Sequence, residues 1–521
     1  MPNMGFLIDN RKCIGCHACT VACKSEHDVP IGVDRTWVKY VEKGTFPNNR
    51  RLFTVMRCNH CEDSPCTTIC PVTALYRRDD GIVDFNNERC IGCKACMQAC
   101  PYDALHIDPV TQTAAKCNFC THRVEIGLEP SCVQVCPEQA IVAGDLQDPN
   151  SNISQLIDRH PVTVRKPEKG TRPNLFYIDA DAASLVPTHA QTQQDYLWSS
   201  SAEESPAGLN NRQLVEFQGI EECHRENAKR VYDVRTRKPA WGWEVVAYTW
   251  TKAVSTGSFL ATGLLFFLSE DGLSKDGITS GISGKLLALT LIAILFLLLT
   301  MGLLVADLKQ PKRFLNVLLR PQWGSWLVRG AYTLIGFTIV LSLWLLGIVI
   351  NCNTLMNWVL GPGVFFAILS AVYTAFLLAQ AKGRDFWQNP LMSLHFLSHA
   401  LIAGGAVWLL IEFLSPSIGA HPNAASGMTL VGLIVSAIAI LGEKFTAPPT
   451  SDARLAMKMI TSGENGLWFW GGGVIFGHAI PIILLFTQIT PLSPLATIFS
   501  LFGIVVIESL WIVCPQRIPL S

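Results

Sequence analysis

The chain has 521 residues, of which 49% are hydrophobic and 16% charged, and its 41 Lys and Arg balance 41 Asp and Glu. Zero net charge and the lack of a basic stripe with interleaved aromatics argue against a nucleic-acid partner. The charge is concentrated in the first 240 residues, which excludes a uniformly soluble chain and points to two halves made for two solvents.

Sixteen of the nineteen cysteines lie within the first 136 residues, in four groups that each end in Cys-x3-Cys. They are Cys13, Cys16, Cys19 and Cys23; Cys58, Cys61, Cys66 and Cys70; Cys90, Cys93, Cys96 and Cys100; and Cys117, Cys120, Cys132 and Cys136. A [4Fe-4S] cube takes one thiolate per iron, and CxxCxxC sets three on one tight loop while a fourth arrives from elsewhere. Three groups run on into proline, at Pro71, Pro101 and Pro137. Disulfides would suit a small secreted domain, but no secretory segment is read here and two-residue gaps pair poorly. Zinc sites join two CxxC units and have no use for a third cysteine two residues on. Cys13-Ile-Gly-Cys16-His17 is formally a c-type haem attachment motif, yet its cysteines are already needed by the first quartet.

The third group follows the ferredoxin plan of cysteine loop, short helix and strand from Cys100 to Ile107, and the plan recurs at Cys70 to Tyr76 and Cys136 to Val142. Each repeat is too small to bury a core alone, so the clusters take over that task and removing iron should unfold the domain. Asn174 to Ile178 is expected to be its closing strand. Residues 1–180 are therefore read as an α+β ferredoxin-like domain with four [4Fe-4S] clusters. A polar stretch, 181–240, follows as a linker, with Asn211 to Val231 expected to be helical and docked on the membrane domain.

From 241 to 521 the reading is an all-α membrane bundle of eight transmembrane helices, each near the roughly 20 residues a bilayer requires. The spans are placed at Val245 to Leu268, Gly284 to Val305, Trp326 to Ile350, Gly361 to Gln380, Leu391 to Leu414, Ala424 to Leu441, Leu467 to Phe486 and Leu495 to Cys514. Loops after spans two, four and six, with the tail, carry Lys309, Lys312, Arg313, Arg320, Lys382, Arg384, Lys444, Arg454, Lys458 and Arg517; the opposite loops offer Lys275 and Lys285. With Arg230, Arg235, Arg237 and Lys238 before span one, the positive-inside rule puts both termini and the cysteine-rich domain in the cytoplasm, on the inner membrane.

A quinone dissolved in the bilayer takes two electrons and two protons, so its pocket needs proton-exchanging groups, and a charge inside a span needs a reason to be there. Glu244, Tyr248 and Lys252 share roughly one face of span one, Asp307 caps span two, and His395 and His399 share a face of span five. These six are the candidate quinone contacts. Against that, Glu244 and Asp307 can simply sit at the interface, and Lys252 can snorkel towards water. Glu412 and Glu508 are assigned to helix contacts or a proton path, and Gly471 to Gly477 to close helix packing. His399 and His478 are weighed as haem b ligands, though most lone membrane histidines are not. Cys223, Cys352 and Cys514 have no quartet to join.

The order and spacing of the four quartets resemble those of the four-cluster iron-sulfur subunit of the dimethyl sulfoxide reductase, polysulfide reductase and related molybdopterin oxidoreductase complexes. The membrane half is similar to the eight-span (NrfD-like) anchor of polysulfide reductase-type complexes, most clearly at Asp307 to Phe314 and around Trp387 to Phe396. In that family the anchor is normally a separate polypeptide, so the fusion is a departure. The resemblance implies crossed ligand sets: Cys13, Cys16, Cys19 with Cys136; Cys117, Cys120, Cys132 with Cys23; Cys58, Cys61, Cys66 with Cys100; and Cys90, Cys93, Cys96 with Cys70. It implies an electron-transfer and membrane-anchor subunit working between a molybdopterin-containing catalytic subunit and the quinone pool, menaquinone or ubiquinone, in anaerobic respiration. No flavin, nucleotide or molybdopterin motif is found in the chain, so substrate chemistry falls to a partner and quinone oxidoreduction is the chain's own half-reaction. The alternatives are a redox-driven ion-translocating subunit and a self-sufficient quinone-linked ferredoxin oxidoreductase.

Overall fold

The computed structural model describes residues 2–192, 228–233, 239–269, 281–415, 421–446, 448, 450–487 and 492–521. The chain divides into two compact units: Met1–Ala240 with Ala381–Gly383 and Pro519–Ser521, and Trp241–Gln380 with Arg384–Ile518.

In the first unit the strands are β1 (Met4–Asp9), β2 (Thr36–Thr45), β3 (Asn48–Arg57), β4 (Leu75–Arg77), β5 (Val83–Phe85), β6 (His106–Ile107), β7 (Ala114–Ala115), β8 (Ile141–Asp145), β9 (Val162–Thr163), β10 (Leu175–Ile178), β11 (Gln191–Thr192) and β12 (Lys229–Tyr232). Short helices intervene: α1 (Ala18–Glu26), α2 (Pro65–Ile69), α3 (Ala95–Ala99), α4 (Thr121–Val124), α5 (Ser131–Gln134), α6 (Asn152–Arg159) and α7 (Ala182–Leu185). One sheet has the order β8-β1-β10-β9, with β1 parallel to β10 and antiparallel to β8. β1 lies inside that sheet and is buried on both faces, which is why Phe6-Leu7-Ile8 is a continuous apolar run rather than an alternating one. Leu7 packs with Ile153 of α6 and Ile178 of β10. α6 starts where Ser151 caps it by accepting from the Ser154 N–H.

A second sheet, β11-β12-β2-β3, is built on the ten-residue hairpin of β2 and β3, paired from Thr36↔Arg57 to Thr45↔Asn48. β12 pairs antiparallel with β2, so the sequence expectation of a helix over Asn211 to Val231 fails at its end, and 211–227 lie outside the described residues. The open edge of β2 offers a row of unpaired backbone groups, and Lys229–Tyr232 satisfies them as a strand. Asp181 caps α7 by accepting from the Ala183 N–H. Both described ends of the polar stretch are therefore folded.

Among its described residues the second unit holds eight helices long and apolar enough to cross a membrane. They are α8 (Trp243–Leu268), α9 (Gly281–Ala306), α10 (Trp326–Val349), α11 (Asn353–Gln380), α12 (Leu391–Leu414), α13 (Pro422–Phe445), α14 (Gly463–Phe486) and α15 (Ser493–Val513). α8 and α12 are the inner pair, 78% and 72% buried over their apolar windows, whereas α9 is 28% buried and faces outward. The inner pair touches backbone to backbone: a Cβ on Gly257 would lie 2.0 Å from the Ala400 carbonyl oxygen, and one on Gly404 2.0 Å from that of Gly257.

Three expectations for this half need correcting. α11 begins at Asn353 and runs through Pro362 instead of starting at Gly361, because neighbouring helices can support backbone groups that proline frees inside a bundle. Lys285 is no loop residue; it lies in the first turns of α9, 2% exposed and paired with Glu412. Lys252 does not snorkel, being 1% exposed. In α14 the glycine-rich stretch winds as a π-helix over Trp468–Ala479, and Gly477 packs on Gly503 of α15. Arg235, Arg237, Lys238, Cys223 and Lys275 lie outside the described residues.

Candidate metal centres and a buried polar site

The cysteine loops repeat a backbone pattern that the sequence spells twice. In Cys13-Ile-Gly-Cys-His-Ala-Cys19 and Cys90-Ile-Gly-Cys-Lys-Ala-Cys96, Gly15 and Gly92 take φ of +74° and +69°, and His17 and Lys94 take +60° and +64°. α1 and α3 start immediately after, at Ala18 and Ala95. A second repeat, Cys-Pro-x-x-Ala, puts Thr73, Asp103 and Gln139 in the left-handed region at +48°, +54° and +50°. This turn swings a backbone N–H onto the sulfur: Ala74 donates to Cys70 Sγ at 3.2 Å and Ala140 to Cys136 Sγ at 3.2 Å.

None of the sixteen cysteines is in a disulfide with another described residue, and most are buried, with Cys16 exposed. Cys13 has Cys136 and Cys16 as neighbours, and Cys19 has Cys132, Cys13 and Cys136. Cys23 faces Cys117, Cys132 and Cys120. Cys66 faces Cys100, Cys58 and Cys61, while Cys96 faces Cys93, Cys90, Cys70 and Cys66. Two cavities are each lined by four cysteines from two groups, one by Cys13, Cys16, Cys19 and Cys136, the other by Cys70, Cys90, Cys93 and Cys96. Each such set surrounds a space and not a point: among the described residues, no three His, Cys, Asp or Glu could grip a single metal ion.

Burial pushes the Cys19 and Cys120 thiols up to about 12 and Cys100 up to about 11. So many buried thiols around open spaces fit an iron-sulfur core, because iron deprotonates a coordinated thiol and spreads its charge. Further donors point at sulfur. Cys90 Sγ accepts from the Gly92 and Ala114 N–H groups at 3.4 and 3.3 Å, and His27 Nε2 lies 3.1 Å from Cys120 Sγ. Lys116 is fully buried, donates to the Cys117 carbonyl at 2.7 Å, and opposes the effect of burial on Cys58.

Of the membrane candidates, Tyr248, Lys252, His395 and His399 are brought together at one end of the bundle. Lys252 Nζ donates to Thr374 Oγ1 of α11 and stands 4.5 Å over the Tyr373 ring and 5.2 Å over Phe396. Tyr248 is buried one turn earlier on α8. On α12 the His395 and His399 rings are 4.2 Å apart, and His399 Nδ1 is 3.0 Å from Glu508 Oε1 of α15. Thr249 donates to the other Glu508 oxygen. Among the described residues His395 has no hydrogen-bond partner on either ring nitrogen, and it stacks 5.5 Å from Trp511, whose Nε1 donates to Glu443 Oε2 at 2.7 Å.

Glu244 is half-buried in the first turn of α8, and Lys252 bonds Thr374 in preference to it. Asp307 follows the last turn of α9, its N–H on the Leu303 carbonyl. Sequence reasoning gave Glu508 to helix contacts or a proton path, and it left Glu443, Thr374 and Trp511 out of the site. A carboxylate inside an apolar span was the available signal for Glu508 and Glu443. At the other end of the bundle Lys285 pairs with Glu412 at 2.5 Å, and Trp408 Nε1 donates to the same carboxylate at 3.1 Å. His478 bonds Ser436 Oγ through Nε2 and the Gly473 carbonyl through Nδ1.

Residues 50–146 match the family described as a 4Fe-4S dicluster domain, and residues 234–518, more than half of the chain, match polysulphide reductase, NrfD. Among individual proteins, 192 residues are 45% identical to a tetrathionate reductase subunit from Salmonella typhimurium, covering 36% of this chain and 77% of that one. A polysulfide reductase chain from Wolinella succinogenes is 42% identical over 179 residues, covering 33% and 93%. The arsenate respiratory reductase iron-sulfur subunit ArrB of Shewanella sp. strain ANA-3 is 35% identical over 223 residues, covering 34% and 95%. The chain thus belongs to the polysulphide reductase NrfD family through its membrane half and to the iron-sulfur subunits of reductase complexes through its N-terminal third, joining electron transfer and membrane anchoring in one multi-pass polypeptide.

Proposed function

We propose that this chain moves electrons through four [4Fe-4S] clusters between a molybdopterin-containing catalytic subunit and membrane quinone, with both termini in the cytoplasm. The observation that carries this reading is the pair of cavities lined by four cysteines each, drawn from Cys13, Cys16, Cys19 with Cys136 and from Cys90, Cys93, Cys96 with Cys70. By the same crossing, Cys58, Cys61, Cys66 with Cys100 and Cys117, Cys120, Cys132 with Cys23 hold the other two, in line with their mutual neighbours. When bound, each cluster exchanges one electron at a time.

Menaquinone or ubiquinone takes two of those electrons and two protons to become the quinol. Lys252, His399 and Glu508 supply and receive the protons, and Tyr248 and Tyr373 give the head group an aromatic, polar wall. Glu244 and Asp307 stand nearer the water and suit proton entry better than head-group contact. The Lys and Arg bias of alternate loops supports the cytoplasmic side, and the relatives' names as parts of reductases support a catalytic partner. Anaerobic purification in mild detergent tests the proposal: about sixteen iron atoms per chain from four cubes, a large molybdenum-containing companion, and clusters that reduce on adding a quinol. Iron at half that amount, or clusters indifferent to quinol, would count against it.

A redox-driven ion-translocating role has one observation in its favour, the buried Lys285 and Glu412 pair at the opposite end of the bundle. Proton release by sealed vesicles during quinol oxidation separates the two readings.

A further inference from the structure

Arg57 ends β3, one residue before Cys58, and points at different cysteines. It is fully buried; its Nη1 donates to Cys132 Sγ at 3.1 Å, and its guanidinium carbon stands 4.4 Å over the Phe6 ring. Among the described residues Nε and Nη2 have no hydrogen-bond partner, and no Asp or Glu forms an ion pair with it. The sulfurs that act on it most are those of Cys132, Cys117 and Cys19, in that order. The first two belong with Cys23 and Cys120; the third belongs with Cys13, Cys16 and Cys136. Arg57 therefore stands beside one cysteine set and within reach of a second.

A buried guanidinium without a carboxylate is strongly unfavourable unless something close by is negative. A cube held by four thiolates is net negative and gains one more negative charge when it accepts an electron, so a fixed cation favours the reduced form. Arginine keeps its proton throughout, which makes its charge independent of the redox state.

Resting on the cluster reading above, we infer that Arg57 is a positioning residue that raises the reduction potential of the cluster held by Cys23, Cys117, Cys120 and Cys132, and to a lesser degree that of the cluster held by Cys13, Cys16, Cys19 and Cys136. The step itself is a single electron passing from one cube to the next, with no proton or bond exchanged at Arg57. Hydrogen bonding to sulfur and net local charge are the two levers, and Arg57 supplies both to Cys132.

The test is potentiometric titration followed by electron paramagnetic resonance on the full-length protein, purified anaerobically, as wild type, Arg57→Gln and Arg57→Lys. With iron and sulfide at wild-type content, Arg57→Gln should lower one midpoint so that the reduced-to-oxidised ratio at fixed potential falls at least about tenfold, which for one electron is about 59 mV. A second midpoint should fall by less, two should stay, and Arg57→Lys should restore most of the loss. Unmoved midpoints in an iron-replete Arg57→Gln protein, or Arg57→Lys shifting as far as Arg57→Gln, would overturn the inference. Should Arg57→Gln come out short of iron, Arg57→Lys decides: full iron at the wild-type midpoint upholds a role for charge, and iron loss there too overturns it. A wild-type protein without iron-sulfur signals would instead sink the cluster reading itself.

Discussion

At the scale of single residues, the membrane unit concentrates its ionisable groups where three helices meet. Lys252 from α8, His399 from α12 and Glu508 from α15 lie far apart in sequence, and each is 1% exposed or less. Burying them is unfavourable, so their joint presence calls for a use. If they move quinone protons, Glu508→Gln and Lys252→Met should each slow quinol-driven cluster reduction by about 10²-fold. Stopped-flow absorbance would measure it, with iron content unchanged as the check that the clusters survive. A loss of iron in step with activity would make the residues structural.

Elements are joined by contacts of two kinds. α8 and α12 cross at Gly257 and Gly404 with no room for a side chain, so Gly404→Val should weaken the inner pair by about 1–3 kcal/mol, read as easier unfolding in mixed detergent and SDS micelles. In the cysteine-rich unit, Glu26 at the end of α1 ties that helix to α4 and α5. It accepts from Ser131 Oγ at 2.5 Å and Arg123 at 3.2 Å, with His122 Nε2 at 2.7 Å. The Ser131 hydrogen bond first, then His122 and Arg123, hold its carboxyl at about 2, below the ordinary 4.5. A depressed carboxyl stabilises the fold above its unfolded value, and that contribution disappears as pH falls from about 4.5 towards 2. Iron release into a chelator should therefore accelerate across that window in the wild type. Glu26→Gln should release iron faster at every higher pH and show a smaller acceleration across the window.

On the scale of the whole molecule, cysteines make up much of what the first unit buries, whereas the second has a broad apolar core drawn from Ala253 to Ile504. Stripping iron under reducing conditions should collapse the strand signal in far-ultraviolet circular dichroism while the helical signal of the spans persists. The division was legible in the sequence because each part announces itself locally: CxxCxxC fits within one loop, and a span is a single apolar stretch. What joins distant segments was not legible. The family resemblance, and no residue near either, implied Cys13 with Cys136, and nothing near His399 names Glu508; the folded chain puts each pair side by side. The span placed from Gly361 in fact begins at Asn353 and runs through Pro362, which the surrounding bundle accommodates. Lys229–Tyr232 is a strand because β2 offers it an edge, a fact recorded some 190 residues upstream. One asymmetry among the cysteines carries a practical consequence. Cys16 is open to solvent while its companions Cys19 and Cys136 are better covered, so dioxygen or peroxide reaches that sulfur first. Oxidative damage should begin there, with sulfenic acid forming at Cys16 and iron leaving that corner before any other, so aerial ageing would disable the set it shares with Cys13, Cys19 and Cys136 while the others stay intact.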